Sequence, residues 1–503
     1  MTTQVPGQAG LPSPNPSKSY WLQDPSNVLI GHRSTQELPD TADVIIIGSG
    51  ITGAFAAHFL KRGVNADGVG VRGGESLVML EAREACFGAT GRNGGHCQPF
   101  LYGNAPAVAE FELENYRFLR DLVSSENIPC DWVDVTGVHG YLTPTLFNAA
   151  AATAERLKAS HPHLAEGIDV VQPHDTKRLR ELRVPTVAGA IIQPRAASLW
   201  PYKLVSHILE RLLRDFDDAV EFNLQTCTPV TSLTRLNGET ALNAGGWKVH
   251  TPRGTITTPK ILLATNGYTS HILPAMTDLI VPVRGQISSL LPTGIHDVPV
   301  PRLPHSYVFA SQQTDSTPWR DDYMVQRPLS RGGTANQGGG GEFIFGGGRG
   351  LAANKGIAEY KDDEVEGAVA EFLRTELCPP LDLTTAQSGT QLKATFSWTG
   401  IMGYSRDAHP WVGPVPSRLG GGEGMFVCAG YTGHGMPNGA LCARAVVGMM
   451  RGTDAKGGLP GSYVVSEERV ERVRKGDTIQ EAQEKDVWAE AFPELGFIPS
   501  TGC

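Results

Sequence analysis

The pattern of apolar and polar positions places the first strong element of this chain at residues 43–47. This run, DVIII, is almost wholly apolar and β-branched, which is typical of a strand buried on both faces in a parallel sheet. It leads directly into the glycine-rich segment 48–53 and then into 54–63, where apolar residues recur at helical spacing and a glycine ends the pattern. A second apolar run follows at 77–80, and Glu81 closes it. This order predicts a strand–helix–strand unit.

Further elements are predicted along the rest of the chain. The segment 1–40 reads as an extended arm pinned by Tyr20, Trp21 and Leu22. Helices are predicted over residues 106–127, 147–159, 204–214, 361–377 and 477–491. Strands are predicted at 227–233, 247–251 and 255–257, which form a small antiparallel meander, and at 260–267 and 342–345. The low-complexity segment 331–341 is predicted to be a flexible surface loop.

Composition narrows the class of protein. With 503 residues, 19% of them charged and 40% hydrophobic, the chain is long and apolar enough to bury a core. Its 43 Lys and Arg against 52 Asp and Glu give a net charge of −9, which disfavours nucleic acid as a partner. Glycine accounts for 59 residues, well above the usual share of about 7%. That surplus indicates many tight turns and close backbone approaches.

The cysteines and the chain's apolar runs point to a reducing compartment. The eight cysteines are scattered without a C-x-x-C pair, so neither a disulfide framework nor a metal site is predicted. The N-terminal segment up to Trp21 lacks the basic and apolar regions of a signal peptide. No apolar run reaches the roughly 18 residues that a membrane span requires, so no span is predicted. We therefore expect a soluble, cytoplasmic protein; its oligomeric state stays open.

The glycine-rich segment GSGITG at 48–53 predicts a dinucleotide site. A lone G-x-G-x-x-G is weak evidence, but here a strand precedes it and a helix follows it. Gly48 permits the tight turn, Gly50 lets the backbone approach a pyrophosphate, and Gly53 lets helix and strand pack closely. The helix N-terminus then offers free N–H groups to the phosphates. Glu81, which follows the second strand, is placed to accept hydrogen bonds from a ribose; the alternative is a solvated acid at the strand end.

Two further features favour FAD over NAD. The acidic residue comes later than the roughly 20 residues usual for NAD enzymes, and no second G-x-G-x-x-G with strand and helix flanks occurs. The loop 88–95 combines four glycines with Arg92 and Asn93, so backbone N–H groups and side-chain donors can crowd against a flat ring or a pyrophosphate. The alternative interpretation of this loop is simple flexibility.

The sequence resembles the D-amino-acid-oxidase-like family of FAD-dependent amine and amino-acid oxidoreductases. The resemblance rests on blocks that occur in the family's order over about residues 41–450: GSGITG (48–53), EAR (81–83), GATGRNGG (88–95), PVRGQ (282–286), WTGIMGYSRD (398–407) with Pro410 and Gly413, and GYTGHG (430–435). Together they are specific, although each alone is not. GATGRNGG looks most like the branch that contains gamma-glutamylputrescine oxidase.

The resemblance implies a set of FAD-binding residues. The segment 430–435 would place backbone N–H groups at a helix N-terminus beside the flavin N1/C2=O edge, where they stabilise negative charge on the reduced flavin. Val230 matches the position whose backbone meets the adenine, and 265–267 matches the strand end that closes over FAD. The full expected set is Gly48, Gly50, Ile51, Thr52, Gly53, Glu81, Ala82, Arg83, Gly88, Ala89, Thr90, Arg92, Asn93, Gly94, Gly95, His96, Val230, Thr265, Asn266, Gly267, Gly403, Gly430, Thr432, Gly433, His434 and Gly435.

The resemblance also implies the reaction. A C–N bond that bears an α-hydrogen delivers a hydride to flavin N5 and leaves an imine that water hydrolyses; O2 is the expected acceptor. The protein has to orient the amine in its neutral form. The candidates on the substrate side are His434, Tyr404, Arg284, His96, Trp398 and Tyr431. Alternatives stay open, because Trp398 and Tyr431 suit plain core aromatics, Arg284 a structural ion pair, and His434 a buried structural histidine.

Two departures from the family bear on the site. Sarcosine-oxidase-like members carry a lysine three residues after the histidine of the last block, where it helps to hold a substrate carboxylate; here that position is Pro437. Some members attach FAD covalently through a cysteine near the WTGIMGYS block or a histidine in the early loop. The matching loop position here is Arg92, and His96 and Cys97 lie a few residues on. We expect non-covalent FAD, with His96 or Cys97 as the alternative.

We therefore predict an α/β protein with a discontinuous Rossmann-like FAD-binding domain and a mixed, mostly antiparallel substrate domain. The predicted units are an N-terminal arm (1–40), the FAD-binding domain (41–110, 196–275 and 396–450), the substrate domain (111–195 and 276–395) and a C-terminal tail (451–503). Three other functions remain: an oxidase or dehydrogenase of a natural-product amine, a flavin monooxygenase that needs NAD(P)H, and a nucleotide or redox sensor without turnover. Reduction of the flavin by an amine would separate catalysis from sensing, and reduction by NADPH instead would favour the monooxygenase; the sequence does not separate the natural-product enzyme from the leading prediction.

Overall fold

The computed structural model describes residues 7–64, 70–237, 244–292, 302–314, 317–329, 340–383, 392–453 and 458–484. The strands in these residues are β1 (Val44–Ile47), β2 (Arg62–Val64), β3 (Gly70–Arg72), β4 (Leu77–Leu80), β5 (His96–Cys97), β6 (Val133–Tyr141), β7 (Asp169–Val171), β8 (Gly189–Ser198), β9 (Phe222–Gln225), β10 (Ser232–Asn237), β11 (Ala244–Thr251), β12 (Gly254–Thr258), β13 (Lys260–Leu263), β14 (Ile280–Pro292), β15 (His305–Ser311), β16 (Arg320–Gln326), β17 (Phe343–Gly346), β18 (Leu392–Ser405), β19 (Trp411–Pro414) and β20 (Met425–Ala429). The helices are α1 (Ile51–Lys61), α2 (Pro106–Glu126), α3 (Pro144–Ser160), α4 (Thr176–Glu181), α5 (Pro201–Asp215), α6 (Thr269–Ile272), α7 (Gly367–Thr375), α8 (Gly439–Arg451), α9 (Glu467–Lys475) and α10 (Ile479–Glu484).

A parallel sheet forms the first layer of the fold. Its strands run in the order β19-β20-β13-β1-β4-β9, and only the edge pair β19–β20 is antiparallel. Strand β1 lies in the middle, where Ile45 pairs with Ile261 on one side and with Val78 on the other. All four residues of β1 are buried, as its wholly apolar sequence predicts.

Helix α1 packs against α5 and α8. Every residue of α1 is buried, which explains why its sequence is apolar on all sides instead of along one stripe. Its one lysine, Lys61, is buried at the helix end, and its ammonium donates to the carbonyls of Gly73 and Glu75. The strand–helix–strand unit predicted from residues 43–81 is therefore present.

A large mixed sheet forms the second layer. Its strands run in the order β18-β14-β17-β16-β15-β6-β8-β5, and β7 joins β8. All its pairs are antiparallel except β15 with β6. The predicted fold class, a Rossmann-like unit with a mixed and mostly antiparallel sheet, is confirmed. The division into domain segments stays a prediction. Strand β5 and most of β18 belong to the mixed sheet, although both fall in segments that we predict for the FAD-binding domain.

Most predicted elements are present, with shifted ends. The small meander corresponds to β10, β11 and β12. The charged helix predicted over 361–377 is shorter, because α7 covers only Gly367–Thr375. The residues before it are not helical, and one of them, Asp362, forms a buried ion pair with Arg83. The predicted loop 331–341 lies outside the described residues except for its last two positions, as do residues 485–491 of the predicted C-terminal helix.

The N-terminal arm lies across the rest of the fold. A short 3-10 turn covers Tyr20–Leu22, and Trp21 is fully buried there. Ser17 and Ser19 hydrogen-bond to Asp362 and Gly91, which ties the arm to the chain far from it in sequence. In the described part of the chain, no helix combines the length and the apolar character needed to cross a membrane.

Candidate active site

One elongated cavity connects the two layers. Near one end it is lined by the β1–α1 turn, including Gly48 and Gly50, and by Glu81 after β4. Near the other it is lined by residues of the mixed sheet, among them Tyr323 and Arg349. The carboxyl ends of β1, β4 and β13 open into it, which is where open α/β sheets bind their ligands.

The β1–α1 turn can be built only with glycine at two positions. Gly48 has φ +106°, and a Cβ there would lie 2.5 Å from the carbonyl oxygen of Ala264. A Cβ on Gly53 would lie 1.9 Å from the carbonyl oxygen of Gly48. Gly50 lines the cavity itself at the N-cap of α1. The turn therefore brings backbone N–H groups and the positive end of α1 to the cavity wall.

Glu81 closes the turn from the neighbouring strand. Its Oε2 accepts hydrogen bonds from the backbone N–H (3.0 Å) and the hydroxyl (2.6 Å) of Ser49, and its Oε1 accepts from the N–H of Arg83 (3.0 Å). The carboxylate lines the cavity and keeps further acceptor positions for ligand hydroxyls.

The loop 88–95 packs against the start of α1. The Thr90 hydroxyl accepts a hydrogen bond of 3.1 Å from the Ile51 N–H. The guanidinium of Arg92 donates to the Thr399 carbonyl (2.6 Å), and Arg92 and Arg83 share the carboxylate of Asp362. Burial lowers the pKa of Arg92 to about 10 although Asp362 opposes this. Both arginines therefore brace the loop with their side chains.

Most of the residues predicted from the sequence meet at this cavity. Those that line it are Gly48, Gly50, Ile51, Thr52, Glu81, Ala82, Arg83, Gly88, Ala89, Thr90, Arg92, Asn93, Gly94, His96, Val230, Thr265, Asn266, Tyr404, Tyr431, Gly433, His434 and Gly435. Those that do not line it are Gly53, Gly95, Gly267, Arg284, Trp398, Gly403, Gly430 and Thr432.

Two candidates for the substrate side lie outside the cavity lining. Arg284 is buried and forms an ion pair of 2.6 Å with Glu366. Trp398 is fully buried, and its indole N–H donates to the Arg92 carbonyl (2.8 Å). The contact of Arg284 matches the alternative of a structural ion pair, and the burial of Trp398 matches that of a core aromatic. Gln286, two residues after Arg284, lines the cavity instead.

The segment 430–435 is a loop that precedes a helix, and its place beside the flavin stays a prediction. Helix α8 begins only at Gly439. Thr432 and Gly433 have φ of +51° and +87°, which a right-handed helix cannot contain. The loop is fixed from outside: the Asn266 side-chain oxygen accepts from the Gly430 N–H (3.1 Å), and the Thr432 hydroxyl accepts from the Ser405 N–H (3.0 Å).

Arg349 is a cavity residue that the sequence analysis missed. It follows β17, is 5% exposed, and pairs with Asp321 at 2.8 Å. Its guanidinium lies 5.0 Å from the ring centre of Tyr404 and 5.2 Å from that of Trp319. Burial acts to lower the pKa of Arg349, but Tyr404 and Asp321 outweigh it and raise that pKa. One guanidinium nitrogen, Nη1, is buried without a hydrogen-bond partner among the described residues.

His434 is held by a buried acid that was also missed. Its Nδ1 lies 3.0 Å from Oε1 of Glu112, which comes from α2 and is 1% exposed. Asn438 donates to the same oxygen at 2.8 Å. The separation of 322 residues between Glu112 and His434 explains why no local motif indicates this pair.

The two candidates for covalent attachment differ in position. His96 lines the cavity, and burial lowers its pKa to about 3. Cys97 is fully buried beside the Met436 carbonyl, is not part of the lining, and has its pKa raised by burial. Non-covalent FAD stays a prediction. Of the two alternatives for a covalent bond, His96 lines the cavity and Cys97 does not.

The cavity fits FAD by its own chemistry. A side chain at Gly50 would occupy the space at the N-terminus of α1, with its Cβ 3.1 Å from the Thr90 hydroxyl. Buried nitrogens of His96, Arg349 and His434 lack partners within the described residues, so ligand groups can complete their hydrogen bonds. No group of three or more His, Cys, Asp or Glu side chains in the described ranges is placed to hold a metal ion.

Comparison with known proteins gives one consistent family. Residues 43–449 match the model of the DAO family, described as FAD dependent oxidoreductase. The chain is 22% identical over 429 residues to gamma-glutamylputrescine oxidoreductase from Escherichia coli (strain K12), which covers 82% of this chain and 84% of that protein.

Solved structures share the fold at low sequence identity. Glycine oxidase from Geobacillus kaustophilus superposes with a TM-score of 0.60 at 16% identity, over 83% of this chain and 96% of that one. L-proline dehydrogenase from P. horikoshii gives 0.60 at 18% identity, over 83% and 96%. Iminodiacetate oxidase from Chelativorans sp. BNC1 gives 0.59 at 17% identity, over 84% and 98%.

Proposed function

Because the chain belongs to the DAO family of FAD-dependent oxidoreductases, we propose that it oxidises a C–N bond of an amine or amino acid. The observation that carries this proposal is the single cavity that joins the β1–α1 turn to Arg349, Asp321 and Tyr404. The relatives and structural neighbours act, by their names, on gamma-glutamylputrescine, glycine, L-proline and iminodiacetate, all of which contain an oxidisable C–N bond.

The cofactor supplies the chemistry that no side chain has. When bound, FAD would supply a two-electron acceptor for the hydride that leaves the carbon next to the amine nitrogen. The residues of the β1–α1 turn and Glu81 hold its dinucleotide part. The substrate end has to place the amine, exclude water and keep the nitrogen unprotonated, and the aromatic side chains of Tyr323 and Tyr404 support the first two tasks.

Arg349 and Asp321 define the chemistry of the substrate end. They present a cation and an anion 2.8 Å apart on the cavity wall, a pattern that complements a carboxylate beside an ammonium group. Arginine binds a carboxylate through two parallel N–H groups, and Nη1 of Arg349 is the donor left over. We therefore expect a substrate that carries a carboxylate. O2 as the acceptor and a cytoplasmic location belong to the same proposal.

The variant Arg349→Met tests the substrate end. Loss of the guanidinium should raise KM at least tenfold for amines that carry a carboxylate and change KM little for neutral amines, because a charge-assisted hydrogen bond contributes about 1.5–3 kcal/mol. KM is measured by oxygen consumption, with pairs of amines that differ only in whether they carry a carboxylate.

Arg284→Met is the matched control. Arg284 is also a buried arginine in an ion pair, but it does not line the cavity. The variant Arg284→Met should lower the melting temperature and should not change KM differently for amines with and without a carboxylate. If Arg349→Met raises KM equally for amines with and without a carboxylate, the carboxylate subsite is refuted. Separately, reduction of the flavin by NADPH alone would favour the monooxygenase alternative.

A further inference from the structure

The carboxylate of Glu112 accepts hydrogen bonds from four groups. Oε1 accepts from Nδ1 of His434 (3.0 Å) and Nδ2 of Asn438 (2.8 Å), and Oε2 accepts from the N–H of Phe100 (2.8 Å) and Nδ2 of Asn104 (3.0 Å). Three of the four groups, the Phe100 N–H and the two amide NH2 groups, can only donate, so both oxygens of Glu112 act as acceptors.

The same contact favours one tautomer of His434. Because the Glu112 oxygen accepts, Nδ1 of the imidazole carries the hydrogen. The other ring nitrogen, Nε2, is buried and has no hydrogen-bond partner within the part of the chain that the structure describes. His434 lines the cavity, so Nε2 is the ring atom left to accept a hydrogen bond from a ligand.

Glu112 is the charged side chain that His434 contacts. Four titratable side chains interact electrostatically with Glu112: Cys97 of β5, His409 before β19, Cys442 of α8 and Tyr463. A fifth, Tyr431, lies in the same loop as His434, and its carbonyl accepts from the His434 N–H at 2.9 Å. Burial raises the pKa of both cysteines and both tyrosines and lowers that of His409, so all five are neutral near pH 7. The cavity residues His96 and His139 are neutral as well, since burial lowers the pKa of each to about 3.

We propose that Glu112 is a positioning residue that acts through His434, and that Nε2 of His434 takes a proton from the ammonium group of the incoming amine. The proposal rests on the proposed function. One N–H bond of the ammonium group breaks, its electron pair stays on the nitrogen, and a new N–H bond forms at Nε2. The resulting imidazolium lies within hydrogen-bond distance of the Glu112 charge until the proton passes to solvent.

This step provides what the oxidation requires. Loss of a hydride from a carbon next to nitrogen needs the lone pair of the neutral amine, yet most amines are protonated at pH 7. A neutral imidazole backed by a buried carboxylate can accept that proton, as in other sites where a carboxylate orients a histidine base. Residue 437, three positions after His434, is a proline and provides no competing base.

The first test reads the tautomer directly. In the wild-type holoprotein labelled with 15N-histidine, the His434 signal, assigned by its disappearance in His434→Gln, should show a hydrogen on Nδ1 and none on Nε2 at pH 8. Glu112→Gln should change this signal, and Glu112→Asp should retain it, because a shorter carboxylate still accepts from Nδ1. Glu342→Gln is the control: Glu342 is also a buried glutamate that accepts from a tyrosine hydroxyl and a backbone N–H, and it is not part of the cavity.

The second test reads the pH profile. In the wild type, kcat/KM for an amine should rise with pH, because only a neutral imidazole can accept the proton. Removal of the negative charge in Glu112→Gln destabilises the imidazolium, so this limb should move to lower pH. The less basic imidazole accepts the proton less readily, so the plateau of kcat/KM should fall at least tenfold, within the roughly 10²–10⁴-fold that acid–base groups contribute. Glu112→Asp should restore most of the activity.

Three results would overturn the proposal: a hydrogen on Nε2 in the wild type at pH 8, an unchanged limb in Glu112→Gln, or the same shift in Glu342→Gln. Failure of the proposed function is separate from these. If no amine reduces the flavin of the wild type, the function is wrong whatever the tautomer of His434.

Discussion

At the end of β4, the Glu81 carboxylate receives three donors of its own chain, two from Ser49 and one from Arg83. These contacts fix its orientation before any ligand binds, so little entropy is lost when a ribose hydroxyl donates to it. The same logic applies to His434, whose ring is fixed by Glu112. Single residues of this cavity are thus held by neighbours that are remote in sequence.

Glu81→Ala should weaken FAD binding by about 1–3 kcal/mol, because charge-assisted hydrogen bonds to the ligand and to Ser49 are lost. The dissociation constant of FAD, measured by titrating the apoprotein and following flavin fluorescence, checks this. Glu84→Ala is the control: its carboxylate accepts from the Gly31 N–H at 2.7 Å but does not line the cavity, so FAD affinity should stay unchanged. If Glu81→Ala binds FAD as tightly as Glu84→Ala does, the Glu81 carboxylate does not contribute to FAD binding.

At the scale of elements, the loop 88–95 depends on the N-terminal arm. Trp21 is fully buried, packs edge-on against Tyr20 and Trp200, and donates its indole N–H to the carbonyl of Asn93. The Ser19 hydroxyl donates to the Gly91 carbonyl at 2.8 Å. The arm therefore holds two backbone carbonyls of a loop that lines the cavity.

Trp21→Ala should cost about 3–5 kcal/mol of unfolding free energy and, in addition, weaken FAD binding, because the cavity left behind loosens this loop. Trp247→Ala is the matched control, since Trp247 is 3% exposed and donates to the Glu423 carbonyl in the small meander. Chemical denaturation should show similar losses in both variants, whereas FAD affinity should fall only in Trp21→Ala. Unchanged FAD affinity in Trp21→Ala would show that the arm does not support the loop.

The elements also show what could be predicted from sequence. Strand β1, the glycine turn and Glu81 follow one another closely along the chain, so local spacing identifies them. Arg349 stands among glycines without periodicity, and only the pairing of β16 with β17 brings it to Asp321. Arg284 lies in a block that resembles the family, yet it forms an ion pair with Glu366, 82 residues away, a contact that local spacing does not indicate.

The whole molecule combines two layers that each supply half of one site. The parallel sheet brings the glycine turn and Glu81, and the mixed sheet brings Tyr323 and Tyr404, with Arg349 just beyond β17. Neither layer alone encloses the cavity. Along the sequence, strands β14 to β18 of the mixed sheet come between β13 and β20 of the parallel sheet, so the chain passes from one layer to the other and back. Binding of FAD across both layers should therefore stabilise the whole fold, as any ligand that binds only the native state does.

The most direct measurement is an anaerobic titration of the purified holoprotein with amines and amino acids, with the flavin band near roughly 450 nm as the readout. The account predicts that the band bleaches with at least one amine that carries a carboxylate, and that oxygen restores it. A protein that stays colourless after addition of FAD, or a flavin that is reduced by NADPH but by no amine, would contradict it.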